Sequence, residues 1–102
     1  MTTRYGFHAT ITAQPGKGDA LVELLLSAPS LASPDCYVFL VGRSASNSDV
    51  AYVTEGWVSE EAHARFFASE VARAYTAQFA PLVAGDGQYA DEVPLGGKAV
   101  LG

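Results

Sequence analysis

The side chains best suited to chemistry in this sequence crowd into one stretch, Glu55-Gly56-Trp57-Val58-Ser59-Glu60-Glu61-Ala62-His63. Imidazole titrates near neutral pH, so His63 could accept a proton from a phenol or donate a hydrogen bond to it. Trp57 offers a broad apolar face and one N–H, which suits either a core anchor or the wall of a cavity for a flat ligand. Glu55 alternates with Val53 and Trp57 along a β-rich run, so the three share one side. A carboxylate buried there needs a partner, and Arg43 on the preceding run favours a structural ion pair over a free base. Tyr37, Phe39, Phe66 and Phe67 supply aromatic surface that could wall the same space, although aromatics also serve as plain core. His8 falls on the polar side of an earlier run and points to a subunit contact. Cys36 has no evident cation to lower its pKa and reads as inert.

Other chemistries are excluded by composition. A single cysteine forbids an intrachain disulfide, and two histidines without a Cys/His cluster leave no metal-ligand set at a diagnostic spacing. The formal net charge is −5 with only six scattered Lys and Arg, which argues against nucleic acid as a partner. No apolar run approaches the roughly 18 residues that a membrane helix requires, and no apolar leader follows Met1 to Tyr5, so the expectation is a cytoplasmic protein. Hydrophobic residues make up 49% and charged residues 17%, within the range of chains that fold around a core. At 102 residues one domain is expected, residues 1–102, with residues 95–102 as a glycine-containing C-terminal tail.

The elements that must position Trp57 and His63 follow from periodicity. Tyr5, Phe7, Ala9, Ile11 and Ala13 alternate with His8, Thr10 and Thr12, the pattern of a strand with unlike faces. After Gln14-Pro15-Gly16-Lys17-Gly18, Asp19 could cap a helix whose apolar face is Leu21, Leu24, Leu25 and Ala28, ending at Pro29. Residues 36–41 are continuously apolar and predict a strand buried on both faces. Residues 43–49 make a hairpin-like turn into the Trp57 strand, so these two strands pair antiparallel. Ser59 then caps a helix bearing Ala62, Phe66 and Phe67. A second helical pattern after Ser69 (Val71, Ala74, Tyr75, Phe79, Leu82) holds until Gly85, with Pro81 shortening it. Residues 88–93 predict a final strand.

The order β-α-β-β-α-(α)-β is the split βαβ of ferredoxin-like folds: an α+β protein with a four-stranded antiparallel sheet and helices on one side. The apolar second and third strands then predict a homodimer, joined across the helix-free faces.

The succession of Pro15-Gly16-Lys17, Cys36-Tyr37, Gly42-Arg43-Ser44, Glu55-x-Trp57 and Glu61-Ala62-His63, with Pro81-Leu82 and Gly96-Gly97-Lys98, resembles the antibiotic biosynthesis monooxygenase (ABM) domain family. The similarity covers nearly the whole chain and is closest to the branch described as quinol monooxygenases. It implies a dimeric α+β barrel with a pocket between sheet and helices, and oxidation of a quinol- or anthrone-like aromatic by O2 with no flavin, metal or other cofactor. It implies that Trp57 and His63 are the catalytic pair and that Val53, Glu55, Tyr37, Phe39, Phe66 and Phe67 bind the small aromatic substrate. Where anthrone oxygenases carry an asparagine this chain has Val53, and where other members carry a histidine it has Phe66. Haem-degrading relatives use a strand-one asparagine at about the position of Ala9. A non-catalytic dimeric protein holding a hydrophobic aromatic ligand, or a cyclase on the same frame, are the alternative readings.

Overall fold

In the computed structural model, which describes residues 5–101, the alternating run at the start forms β1 (Tyr5–Thr12) at the heart of the sheet. Met1 to Arg4, in the segment read above as lacking a leader, and Gly102, the end of the tail, lie outside the described residues. Strands β2 (Cys36–Arg43), β3 (Val50–Trp57) and β4 (Gln88–Glu92) join it in the order β2-β3-β1-β4, every neighbouring pair antiparallel. With helices α1 (Gly18–Leu26), α2 (Glu60–Phe67) and α3 (Glu70–Thr76), this is the expected ferredoxin-like α+β fold. A 3-10 turn, Pro29–Ala32, carries the chain from α1 to β2.

Pleating decides which residues reach the helices. Phe7, Ala9, Ile11 and Ala13 from β1 and its extension, with Ala51, Val53 and Trp57 from β3, are buried on the helix side. Leu21 and Leu25 of α1 pack on Ala9, Ile11, Ala13, Ala51 and Val53. The three alanines leave room for the helix to lie close to the strands, so Leu21 is fully buried despite the small size of the sheet residues beneath it.

The start of α1 departs from expectation. Lys17, not Asp19, occupies the N-cap position, and no cap bond comes from its side chain. The acceptor comes from the hairpin: Asp49 takes the Gly16 and Gly18 amides at 3.2 and 3.0 Å on its two carboxylate oxygens. Asp19 already lies in the first helical turn, and its carboxylate bonds Arg43 at 3.0 Å.

Serines cap the other helices as expected. Ser59 Oγ accepts the Ala62 amide at 3.0 Å and Ser69 Oγ accepts the Ala72 amide at 3.3 Å, and the latter is the break between the two helices. Beyond Thr76, however, the helical pattern does not continue to Gly85. The chain turns back to β1, where Leu82 O accepts the Gln14 amide at 2.7 Å and Ala84 N donates to Thr12 O at 2.8 Å. These bonds outcompete the helix, because Pro81 cannot donate one. The buried face of α3 also shifts by one position: Ala72 is inside, whereas Val71 is 57% exposed.

The other side of the sheet carries no helix. Val38 and Leu40 of β2 and Tyr52, Thr54 and Gly56 of β3 lie there, with His8 of β1 bonded to Glu92 of β4. Residues 95–99 of the tail run alongside Val38, Leu40, Thr54 and Gly56 and form a groove of mixed, mainly apolar, character with them. Only β2 matches the expectation of apolar residues on both faces; the open face of β3 is mixed.

Candidate active site

Where α1 stops covering the sheet, α2, α3 and the turns after it arch over the strands and leave a cavity of about 320 Å³. Its floor is Phe7, Ala9 and Ile11 of β1, Val53, Glu55 and Trp57 of β3, and Phe39 of β2. Its roof is His63, Phe66 and Phe67 of α2 and Ala72, Tyr75 and Thr76 of α3, with Phe79 and Tyr89 closing the ends. Such a space, apolar with a few polar groups, suits a planar organic molecule.

Trp57 is fully buried at the junction of β3 and α2. Its ring stands edge-on to the His63 imidazole, with centroids 5.1 Å apart and planes at 72°, and packs on Phe66 at 5.3 Å. The remaining faces of His63 meet Tyr5, Phe7 and Phe67, each at 5.4 to 5.5 Å. Neither ring nitrogen has a hydrogen-bond partner among the described residues. Burial in this cage pulls the His63 pKa below its usual value, against the opposing pull of Asp91 and Glu60. The neutral imidazole is therefore the form that meets a ligand at pH 7.

Glu55 behaves differently from the ion pair expected of it. Arg43 is spent on Asp19, and the partner of Glu55 is the Trp57 indole, whose Nε1 donates to Oε1 at 2.8 Å. Burial pushes the Glu55 pKa up, and the indole hydrogen bond only partly offsets this. Register explains the arrangement. Arg43 pairs with Ala51 at the far end of the hairpin, while Glu55 sits opposite Phe39 and Phe7.

Of the aromatic candidates, Phe39, Phe66 and Phe67 line the cavity together with Val53, Glu55, Trp57 and His63, and Tyr37 does not. The ladder between β2 and β3 is irregular between Cys36 and Val38, so Tyr37 is the inserted residue of a bulge. Cys36, beside the bulge, is half-buried, and its thiol is pushed up to about 11 by burial and by the charge of Glu55, which keeps it protonated and unreactive.

Tyr75 was not singled out by the sequence, yet its side chain lines the cavity and its buried hydroxyl has no partner among the described residues. Burial, then the charge of Glu55, raises its pKa. The helical period placed Tyr75 on an apolar face, and nothing in that pattern distinguishes a cavity wall from solid core. Phe7 and Tyr89 were missed for a similar reason. Their place over the site depends on β1 sitting between β3 and β4.

Residues 4–78 match the family model for antibiotic biosynthesis monooxygenase. The chain belongs to the antibiotic biosynthesis monooxygenase family. It is similar over 95% of its length to a structure from Chloroflexus aurantiacus J-10-fl named for that family, at 30% identity and a TM-score of 0.84, covering 98% of that protein. A protein of Pseudomonas aeruginosa is 28% identical, with 94% and 98% of the two chains covered and a TM-score of 0.79. A family-named structure from Caulobacter crescentus CB15 shares the fold at 22% identity, with coverage of 93% and 92% and a TM-score of 0.79. No curated protein matches the chain. As an ABM protein, the chain carries a general monooxygenase-like role. Among its described residues no helix is long and apolar enough to cross a membrane.

Proposed function

We propose that this ABM protein oxidises a quinol- or anthrone-like aromatic with O2, the substrate anion supplying the electrons and no flavin or metal taking part. For an anthrone the balance is substrate plus O2 giving quinone plus water: the methylene carbon becomes a carbonyl with one oxygen atom, and the other leaves as water. The observation that carries the reading is the cavity itself, a slot walled by Trp57, Phe39, Phe66 and Phe67 with the unbonded His63 imidazole on its roof. A flat ring held between these faces loses water and orientational freedom. A neutral imidazole N–H against its oxygen stabilises the charge that builds there. Removing a proton raises the electron density of the ring, and O2 is small enough to share an apolar cavity with it.

We further propose that two copies join across the helix-free face, where the half-buried Val38 and Leu40, the 46% exposed Tyr52 and the exposed tail residues Leu95, Val100 and Leu101 offer apolar surface. Light scattering at micromolar concentration should give twice the chain mass. A monomer would remove this part of the reading.

Oxygen uptake with a panel of anthrones and quinols tests the reaction. Consumption that depends on enzyme and substrate, and a product gaining one oxygen atom from labelled O2, supports it. Turnover that proceeds equally under argon would instead place the chain with cyclases on the same frame. A second reading, a binding protein without turnover, is favoured by the scarcity of polar groups on the wall, with Val53 and Phe66 where a more polar site would carry amide and imidazole. Under that reading aromatic ligands raise the melting temperature without consuming O2.

A further inference from the structure

We propose that Glu55 is the proton acceptor of this cavity, its carboxyl held in place by the Trp57 indole, and that His63 donates a hydrogen bond to the substrate oxygen rather than taking the proton. The inference rests on the oxygenase reading above and assigns the roles within it.

The geometry begins on β3. Glu55 and Trp57 both face the cavity, and the 2.8 Å bond from Nε1 to Oε1 fixes one carboxylate oxygen. The second oxygen has no hydrogen-bond donor among the described residues. Among the described residues no cation pairs with the group, since Arg43 lies at the other end of the hairpin on Asp19. The titratable groups whose own equilibria respond to Glu55 are Tyr5 on β1, Cys36 on β2 and Tyr75 on α3, and all three are raised and therefore neutral at pH 7. On α2, His63 responds to Asp91 and Glu60. Glu55 is thus a carboxylate in an apolar chamber with one lone-pair face unused, an environment that makes a carboxylate a stronger base than in water.

His63 lacks the features of a base. Its imidazole is caged by Tyr5, Phe7, Trp57 and Phe67, and no carboxylate bonds it to stabilise a protonated ring. Protonation there would bury a charge among hydrocarbon, whereas a neutral N–H can be donated without that cost.

For an anthrone the step is balanced as follows. The methylene C–H bond breaks, the Glu55 O–H bond forms, and the electron pair delocalises onto the carbonyl oxygen, which becomes the enolate oxygen facing His63. Glu55 goes from carboxylate to carboxylic acid, and nothing is oxidised or reduced until O2 arrives. A ligand of this site therefore needs an acidic C–H or O–H conjugated to an oxygen.

The test separates proton removal from oxidation. Anthrone is incubated under argon in deuterated buffer, and loss of the methylene proton signal is followed by NMR. The wild-type protein should accelerate exchange over buffer. Glu55→Gln keeps an acceptor for the indole and should keep the melting temperature within a few degrees, yet lower exchange by at least about 100-fold. Glu55→Asp should restore part of it, and His63→Gln, which keeps an N–H, should stay within about tenfold of wild type. The acidic limb of the wild-type pH profile should vanish in Glu55→Gln. Exchange no faster than buffer in wild type, undiminished exchange in Glu55→Gln, or loss confined to His63→Gln overturns the assignment. Oxygen uptake measured in parallel keeps the two questions apart, since Glu55-dependent exchange without uptake upholds the base and removes the oxygenase.

Discussion

The two faces of the sheet are built from the same strands by alternate residues, yet they have opposite fates. On β3, Val53 and Trp57 are sealed under helices while Tyr52, between Ala51 and Val53, is 46% exposed. Backbone pairing is shared by both faces, so strand formation cannot distinguish them. The difference lies in what covers each side: helices that connect β1 to β2 and β3 to β4, both lying on one side of the sheet. The lesson is that the helix side carries the packed core and the cavity, whereas the open side keeps apolar surface such as Tyr52 exposed, the surface the proposed dimer would use.

Substitutions can break this contrast. Leu21→Ala, at a fully buried helix-side position, should lower the unfolding free energy by about 2–5 kcal/mol in denaturant titration. A loss below about 1 kcal/mol would mean that the α1 seam is looser than its packing indicates. Asp49→Ala removes the acceptor for two amides at the start of the same helix and should cost about 1–2 kcal/mol. On the open face, Leu40→Ser should change the stability of the single chain by less than about 1 kcal/mol while abolishing the proposed dimer in light scattering.

The smallest effects are electrostatic and have defined signs. Glu55 has a raised pKa, so the folded chain holds its proton more tightly than the unfolded one. Its contribution is therefore fully present below the unfolded value near 4.5 and is lost as pH rises through the folded value. Glu55→Gln should gain stability relative to wild type as pH is raised from 4.5 to 7. His63 has a lowered pKa, so the unfolded chain binds the proton better and stability falls as pH drops below about 6.5. His63→Gln should gain relative to wild type over that lower window. Melting curves across pH for the two variants would show slopes of opposite sign, and parallel curves would contradict the burial of both groups.

Much of this was legible from residue pattern alone. Alternation in β1 and β3 put Val53, Glu55 and Trp57 on one side, and the serine caps fixed where α2 began, which together brought His63 over Trp57. What escaped depended on contacts between distant segments. The bulge that displaces Tyr37 arises from pairing with β3, and no residue type in Cys36-Tyr37-Val38 announces it. The pairing of Arg43 with Asp19 rather than Glu55 required knowing how far along the hairpin each one sits. The end of α3 was misjudged because hydrogen bonds from residues 82–84 to residues 12–14 compete with helix continuation, and periodicity cannot weigh them. Tyr75 was recognised as apolar-face but not as cavity wall, since an unfilled space leaves no trace in spacing.

The grip of Asp49 on Gly16 and Gly18 also sets an order of events as the chain folds. A β-carbon on Gly18 would lie only 2.0 Å from the Ser48 carbonyl, so the hairpin tip is seated directly against the first turn of α1. A helix of nine residues does not persist in isolation, and before the β2–β3 turn closes this one has neither a floor to rest on nor an acceptor for its leading amides. In pulse-labelled refolding, amides of β3 should therefore gain protection ahead of those of α1.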